Sequence, residues 1–302
     1  MNKTDLVIAG NITIDDMVMA DGTKHLGATG GDVLYAALAA RLWGVRVGML
    51  SRLGEDFPQE NLVRCQDAGL DISGMPYYPG PGVRNWVIYH PDGRRDFEGR
   101  VPGLIEYLSP SVADIPPHYE SADICFVAAM PIESQLELAR HFSEQGKTVV
   151  FDPYEVHCTE KPQLVEETLR YTAVFLPSEV EVRRLRGDVP FEQAAREFAA
   201  LGPNWVVIKL GGSGCLVYSR QADSCTYLPS YRQARVVDTT GAGDAFGGGL
   251  CAGLAQGKDM CTAALMGTAT ASIAIEDFGS TPLLARAPQE ARQRLEDLLR
   301  QR

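Results

Sequence analysis

The densest chemistry in this sequence lies in Asp238-Thr239-Thr240-Gly241-Ala242-Gly243-Asp244, which follows the short apolar run 235–237 and leads into a stretch rich in Ala, Gly and Leu. That order predicts a strand, a tight glycine turn and a helix N-terminus. Free amides at a helix start, backed by the positive end of the macrodipole, make an anion site, and Gly241 and Gly243 let the backbone come close. Asp244 sets a carboxylate at the mouth of that site. The repulsion has a purpose where the carboxylate takes a proton from a nucleophile or meets a cation. Donors for a developing negative charge, beside a base for an attacking hydroxyl, are the parts of phosphoryl transfer. A short G-x-G alone would carry little weight, because glycine turns also precede helices for structural reasons.

The whole stretch, from Asp238 to Gly249, resembles the second signature of the phosphofructokinase-B, or ribokinase-like, family of sugar and nucleoside kinases. The resemblance implies Asp244 as catalytic base and acceptor contact, and Gly241, Ala242 and Gly243 as the anion hole. Residues 27–44 resemble the first signature: Ala28-Thr29-Gly30-Gly31-Asp32 precedes Leu34, Leu38 and Leu42 at helical spacing, and Gly44 stops the helix. The resemblance puts Gly30 and Gly31 against the acceptor. It also makes Asp15, just past a first strand ending at Gly10, the residue that binds acceptor hydroxyls, with Asp16 as its close competitor. Tyr35 stands where the family commonly has Asn, and either shapes the acceptor pocket or packs in the core.

Other motifs extend the resemblance. Lys209-Leu210-Gly211-Gly212-Ser213-Gly214 resembles the loop that lies along ATP, which implies ATP contacts for Lys209, Gly211 and Gly214 together with Gly241 and Gly243. Ser178 and Glu181 align with the family's Asn-x-x-Glu element, in which the glutamate positions Mg2+ through water; Ser178, which replaces the Asn, is assigned to ATP. The same spacing reads equally as a capping box at a helix start. Asp152-Pro153 ends a strand where open α/β sheets gather ligands, with Tyr154 in place of a usual Asn. Asp238 and Thr240 are implied holders of a monovalent cation such as K+. Gly279 and Thr281 resemble the loop near the adenine and that cation.

These residues need a scaffold. Apolar runs at 6–10, 45–50, 123–127, 148–151, 173–176 and 205–210 alternate with helical segments, the beat of a mainly parallel sheet covered on both faces. Residues 69–72 read as the end of a helix, and 17–31 as short strands with turns at Asp21-Gly22 and Gly27. The rhythm breaks at 76–100, where 83–89 and 94–97 flank His90-Pro91-Asp92-Gly93, a hairpin signal. The expected fold is therefore α/β and ribokinase-like. Residues 1–11, 31–75 and 101–302 form the nucleotide- and substrate-binding core, and 12–30 with 76–100 form a small β-sheet lid. Arg84, Arg94, Arg95 and Arg100 of the lid either keep an edge soluble or bind an acidic group, and Trp86 either covers a ring or packs against a partner subunit. A homodimer through the lid is what the resemblance implies.

Composition narrows the function classes. The chain has 302 residues, 45% of them hydrophobic and 22% charged, and a net charge of -11. That balance belongs to a globular chain and argues against a general nucleic-acid or anionic-membrane surface. No apolar run is long enough to span a membrane, and the N-terminus lacks a signal-peptide layout, so a cytoplasmic protein is expected. Seven cysteines without a C-x-x-C pair favour reduced thiols over a disulfide framework. No G-x-x-x-x-G-K-[ST] occurs, and Gly10-Asn11-Ile12 supplies no dinucleotide fingerprint, which sets aside an oxidoreductase. The expectation is an ATP-dependent kinase using Mg2+ and acting on a hydroxyl of a sugar, sugar acid or nucleoside-like molecule. A non-catalytic sugar or nucleotide sensor on the same scaffold is the alternative.

Overall fold

The strands that carry the core are apolar along their whole length, as burial on both faces requires. Leu6–Ala9, Val47–Leu50 and Ile124–Val127 have no exposed residue. The computed structural model describes residues 3–90 and 95–301. Among them, nine strands form one sheet in the order Ser224–Leu228, Cys215–Ser219, Trp205–Lys209, Val174–Phe175, Thr148–Phe151, Ile124–Val127, Leu6–Ala9, Val47–Leu50 and Asp71–Gly74. Pairing is parallel except at the two junctions made by Cys215–Ser219, which are antiparallel. Helices 32–41, 242–255 and 260–274 bury one cluster of side chains against one face; helices 132–144, 162–169 and 191–200 bury a second against the other.

Tyr77–Tyr78, expected in the lid segment, pairs with Leu53–Gly54 in a sheet of two; a separate four-stranded sheet, in the order Lys24–Gly30, Thr13–Val18, Arg84–Tyr89 and Arg95–Gly99, is the small sheet expected beside the core. Its hairpin strands pair antiparallel as foreseen, while Pro91 to Arg94, the turn with one of the lid arginines, lie outside the described residues.

Three local expectations are corrected. Residues 235–237 form no strand; the amides of Val237 and Asp238 instead donate to the Ile275 carbonyl at the end of a helix, 2.8 and 3.2 Å away. The helix foreseen to end at 69–72 ends at Asp67, and Asp71–Gly74 is an edge strand beside Val47–Leu50. Gly27 is no turn but lies inside a strand, where its φ of 74° and a register shift between Asp15 and Met17 make a bulge. All seven cysteines are free thiols.

The parallel strands all point their carboxyl ends the same way. Those ends deliver Asn11, Asp152, Ser178 and Lys209 to one rim of the sheet, the side on which open α/β sheets bind ligands.

Candidate active site

The helix Ala242–Ala255 begins on Gly241, whose φ of 72° lies in the left-handed region that glycine enters without strain. Asp244 is therefore in its first turn, among amides that have no acceptor within the helix. The turn divides two cavities of about 610 Å³ each. Thr239, Ala242 and Gly243 line one; Thr240, Gly241 and Asp244 line the other. A group bridging the two would cross the anion turn with the Asp244 carboxylate on the far side.

The first cavity has a glycine floor, Gly211, Gly212 and Gly214, with Lys209 at one end and an apolar wall that includes Val236, Phe246, Ala271 and Ile275. A side chain on Gly243 would meet only Lys209 Nζ, 3.5 Å off, so the turn is open toward that ammonium. Lys209 Nζ lies 2.5 Å from Asp152 Oδ2. Burial pulls the Lys209 ammonium down, but Asp152 and Glu181 outweigh it and hold it charged. Burial in turn pushes the Asp152 carboxyl up to about 8, against the pull of Lys209.

Glu181 is buried and closes the capping box that its spacing foretold: its Oε2 accepts from the Ser178 amide at 2.5 Å, and Ser178 Oγ accepts from the Glu181 amide at 3.3 Å. Three carboxylates, on Asp152, Glu181 and Asp244, thus act on one ammonium. A divalent cation bound there would draw these acids to their ionised forms.

The second cavity lies between lid and core. Its lining includes Asp15, Gly31, Asp32, Tyr35, Asn85, Tyr154 and Asp244. Side-chain alternation along Thr13–Val18 separates the two competing acids. Asp15 faces the cavity and accepts from Asn85 Nδ2 at 3.0 Å; Asp16 turns away to an ion pair with Arg100 and accepts the Gly27 amide at 2.6 Å. Gly30 packs on the Asp15 carboxylate, so a side chain there would overlap it. Burial raises Asp15, Asp32 and Asp244, and for Asp32 the nearby Asp244 charge adds to the push. A raised carboxyl is the stronger base once ionised, which suits proton abstraction near neutral pH.

Tyr35 is 3% exposed within the core cluster, and its ring lies against Gly241 while lining the second cavity. Asp238 and Thr240 bond each other: Asp238 Oδ1 accepts the Thr240 amide at 2.9 Å and its hydroxyl at 2.7 Å. Asp238 Oδ2 accepts the Tyr89 hydroxyl at 2.8 Å. Two of the lid arginines line this cavity while ion-paired, Arg84 with Asp56 at 3.3 Å and Arg100 with Asp16 while stacked on Trp86; the side chains of Arg94 and Arg95 lie outside the described residues. Asn85, Tyr89 and Arg184 escaped sequence reasoning. No local pattern in Arg84-Asn85-Trp86-Val87-Ile88-Tyr89 sets Asn85 or Tyr89 apart, and nothing marked Arg184.

Comparison with known proteins bears on the family and the fold. The model of the pfkB family carbohydrate kinases matches residues 16–286. A cytidine kinase of Thermococcus kodakarensis is 31% identical over 276 residues, 91% of this chain and 97% of that one. Two solved structures share the fold over 97% of this chain, each with a TM-score of 0.81. They are a putative ribokinase II from E. coli in complex with ATP and Mg2+, 22% identical with 99% of its chain covered, and the Burkholderia thailandensis nucleoside kinase in complex with inosine, 20% identical with 98% covered.

Proposed function

From the premise that this chain belongs to the pfkB family of carbohydrate kinases, a phosphotransferase family acting on sugar or nucleoside hydroxyls, we propose that it moves the γ-phosphoryl group of ATP to a hydroxyl of a nucleoside. The observation that carries this reading is the mixed lining of the acceptor cavity. It joins Asp15, Asp32 and Asp244, suited to the hydroxyls of a pentose, to Val101, Pro102, Leu104, Ile105 and Tyr154, suited to a flat base. A volume of about 610 Å³ is ample for both parts. An anionic acceptor fits poorly. The rim arginines 84, 100 and 184 are each held by a carboxylate, while three acids face the cavity floor. The 31% identical cytidine kinase, matched along nearly its whole length, supports the same class.

In this reading Asp244 takes the acceptor's hydroxyl proton as that oxygen bonds to the γ-phosphorus. The bond from phosphorus to the β–γ bridging oxygen breaks, and ADP departs with the electron pair. Amides of Gly241, Ala242 and Gly243 stabilise the charge spread over the transferring group. Lys209, Gly211 and Gly214 hold the nucleotide, with the adenine against Val236, Phe246 and Ile275. Glu181 and Asp152 would hold Mg2+ through water; when bound, it neutralises phosphate charge.

The test is ADP release from Mg-ATP across pyrimidine and purine nucleosides, free pentoses and sugar acids, with Asp244→Asn beside the wild type. Nucleoside-dependent turnover that drops roughly 10²- to 10⁴-fold in the variant is expected, as for loss of a general base. Wild-type-like turnover by the variant would remove Asp244 from its role. Turnover on free pentoses or sugar acids alone would overturn the nucleoside reading, and binding of ATP and nucleoside without turnover would favour a sensor.

A further inference from the structure

The lid strand Arg84–Tyr89 meets the active site at both ends. Alternation places Asn85, Val87 and Tyr89 on one face of it. At its start, Asn85 donates to Asp15, the acid facing the acceptor cavity, at 3.0 Å. At its end, the Tyr89 hydroxyl donates to Asp238 Oδ2 at 2.8 Å, lies 3.4 Å from Thr240 Oγ1, and its ring stands edge-on to Phe278 at 5.6 Å. The other oxygen of that same Asp238 carboxylate accepts both the amide and the hydroxyl of Thr240, the residue just before Gly241. The ring of Tyr35 also lies against Gly241, close enough that a Cβ there would overlap its Cγ, Cδ1 and Cε1. The anion turn is thus gripped by a core tyrosine and by a carboxylate that the lid holds.

We propose that Tyr89 is a positioning residue for phosphoryl transfer: through Asp238 and Thr240 it ties the strand that carries the acceptor-side contact Asn85–Asp15 to the shape of the 240–243 anion turn. The inference rests on the kinase reading above. Tyr89 lines neither cavity and reaches the turn through its contacts with Asp238 and Thr240. A phenol bonded to a carboxylate is a charge-assisted contact, stronger than a neutral one. It is made from a strand whose other end answers to the acceptor. Acceptor binding at Asp15 therefore steadies the turn, and the turn is fully set when the lid strand is seated.

Tyr89→Phe keeps the ring and its edge contact with Phe278 while removing the hydroxyl. With a nucleoside that the wild type phosphorylates, kcat is expected to fall roughly tenfold or more, while the acceptor dissociation constant changes less than about threefold, because only turn geometry is loosened. Asn85→Ala with Tyr89→Phe should cost less than the two single losses multiplied, the mark of a shared path. Hydrogen exchange gives a readout free of turnover: amides 240–244 should exchange faster in ligand-free Tyr89→Phe than in the wild type, with the melting temperature little changed. Unchanged kcat or unchanged exchange at 240–244 would overturn the proposal. A wild type that phosphorylates nothing would overturn the kinase reading instead, and the exchange comparison would still decide whether Tyr89 holds the turn.

Discussion

Gly241 meets two demands that no other residue type meets together. Its φ of 72° costs a residue with a Cβ about 1 to 2 kcal/mol, and a Cβ would also enter the Tyr35 ring. The ring cannot retreat easily, because Tyr35 is 3% exposed and packed in the core. The turn must therefore shift in Gly241→Ala, and a misplacement of about 1 Å at a catalytic group can cost on the order of 10² in rate. We expect that loss in kcat. Tyr35→Leu, added to Gly241→Ala, vacates the overlap and should restore part of it, since the strain of the backbone remains. No recovery in the double variant would mean that the backbone angle alone carries the loss. The sequence marks Gly241 plainly through its motif, whereas Tyr35 stayed open between core and pocket. The contact joining it to Gly241 links opposite ends of the chain, and no local pattern records such a contact.

The helix Ala242–Ala255 explains at the scale of an element why three glycines follow one another at 247–249. Each faces a different neighbour. Gly247 is covered by the Phe126 ring from the central sheet, Gly248 by the backbone of Ala36 in helix 32–41, and Gly249 by Thr270 and Met266 in helix 260–274. Glycine inside a helix costs about 1 kcal/mol against alanine, so Gly248→Ala gains that much from propensity. Overlap decides the sign. An added Cβ would lie 2.7 Å from the Ala36 carbonyl carbon and 2.8 Å from its Cα, and backbone cannot turn aside as a side chain does. Overpacking of this kind costs roughly 1–3 kcal/mol, and the two helices that frame the anion turn and Asp32 would separate. Net destabilisation, read as a lower urea midpoint at unchanged slope, is the expected result; a raised midpoint would show that the helices part freely. Period and capping signals made most elements legible, including the Ser178–Glu181 box. They failed at 235–237, where three residues with an apolar pair look like a strand but find no strand to pair with. The Ile275 carbonyl takes the amides of Val237 and Asp238 instead.

Over the whole molecule, the parallel beat and the hairpin signal foretold a sheet with a lid, and the rim of strand ends then fixes where ligands gather. What the sequence could not convey is that the 239–244 turn is a partition, with Thr239, Ala242 and Gly243 on one cavity and Thr240, Gly241 and Asp244 on the other. Lid and core both build the cavity proposed for the acceptor, whereas the cavity proposed for the nucleotide is lined by core residues from 209 onward. Stabilisation by ligands should therefore separate. Any ligand that binds only the folded state adds about 2.7 kcal/mol at a hundred times its dissociation constant, which for a chain of this size raises the melting temperature by on the order of 5 °C. In the wild type, a nucleoside and a Mg2+-bound non-hydrolysable ATP analogue should each produce such a shift. Asp15→Ala removes the carboxylate from the lid side of the acceptor cavity and leaves the Gly211–Gly214 floor and Lys209 untouched, so the nucleoside shift should vanish while the analogue's shift persists. The substitution also deletes an acid that burial pushes above its ordinary range, so the ligand-free variant should melt no lower than the wild type. Loss of both shifts in Asp15→Ala would mean that the lid must be seated for the nucleotide to bind at all, and the partition would be a gate rather than a wall between independent sites.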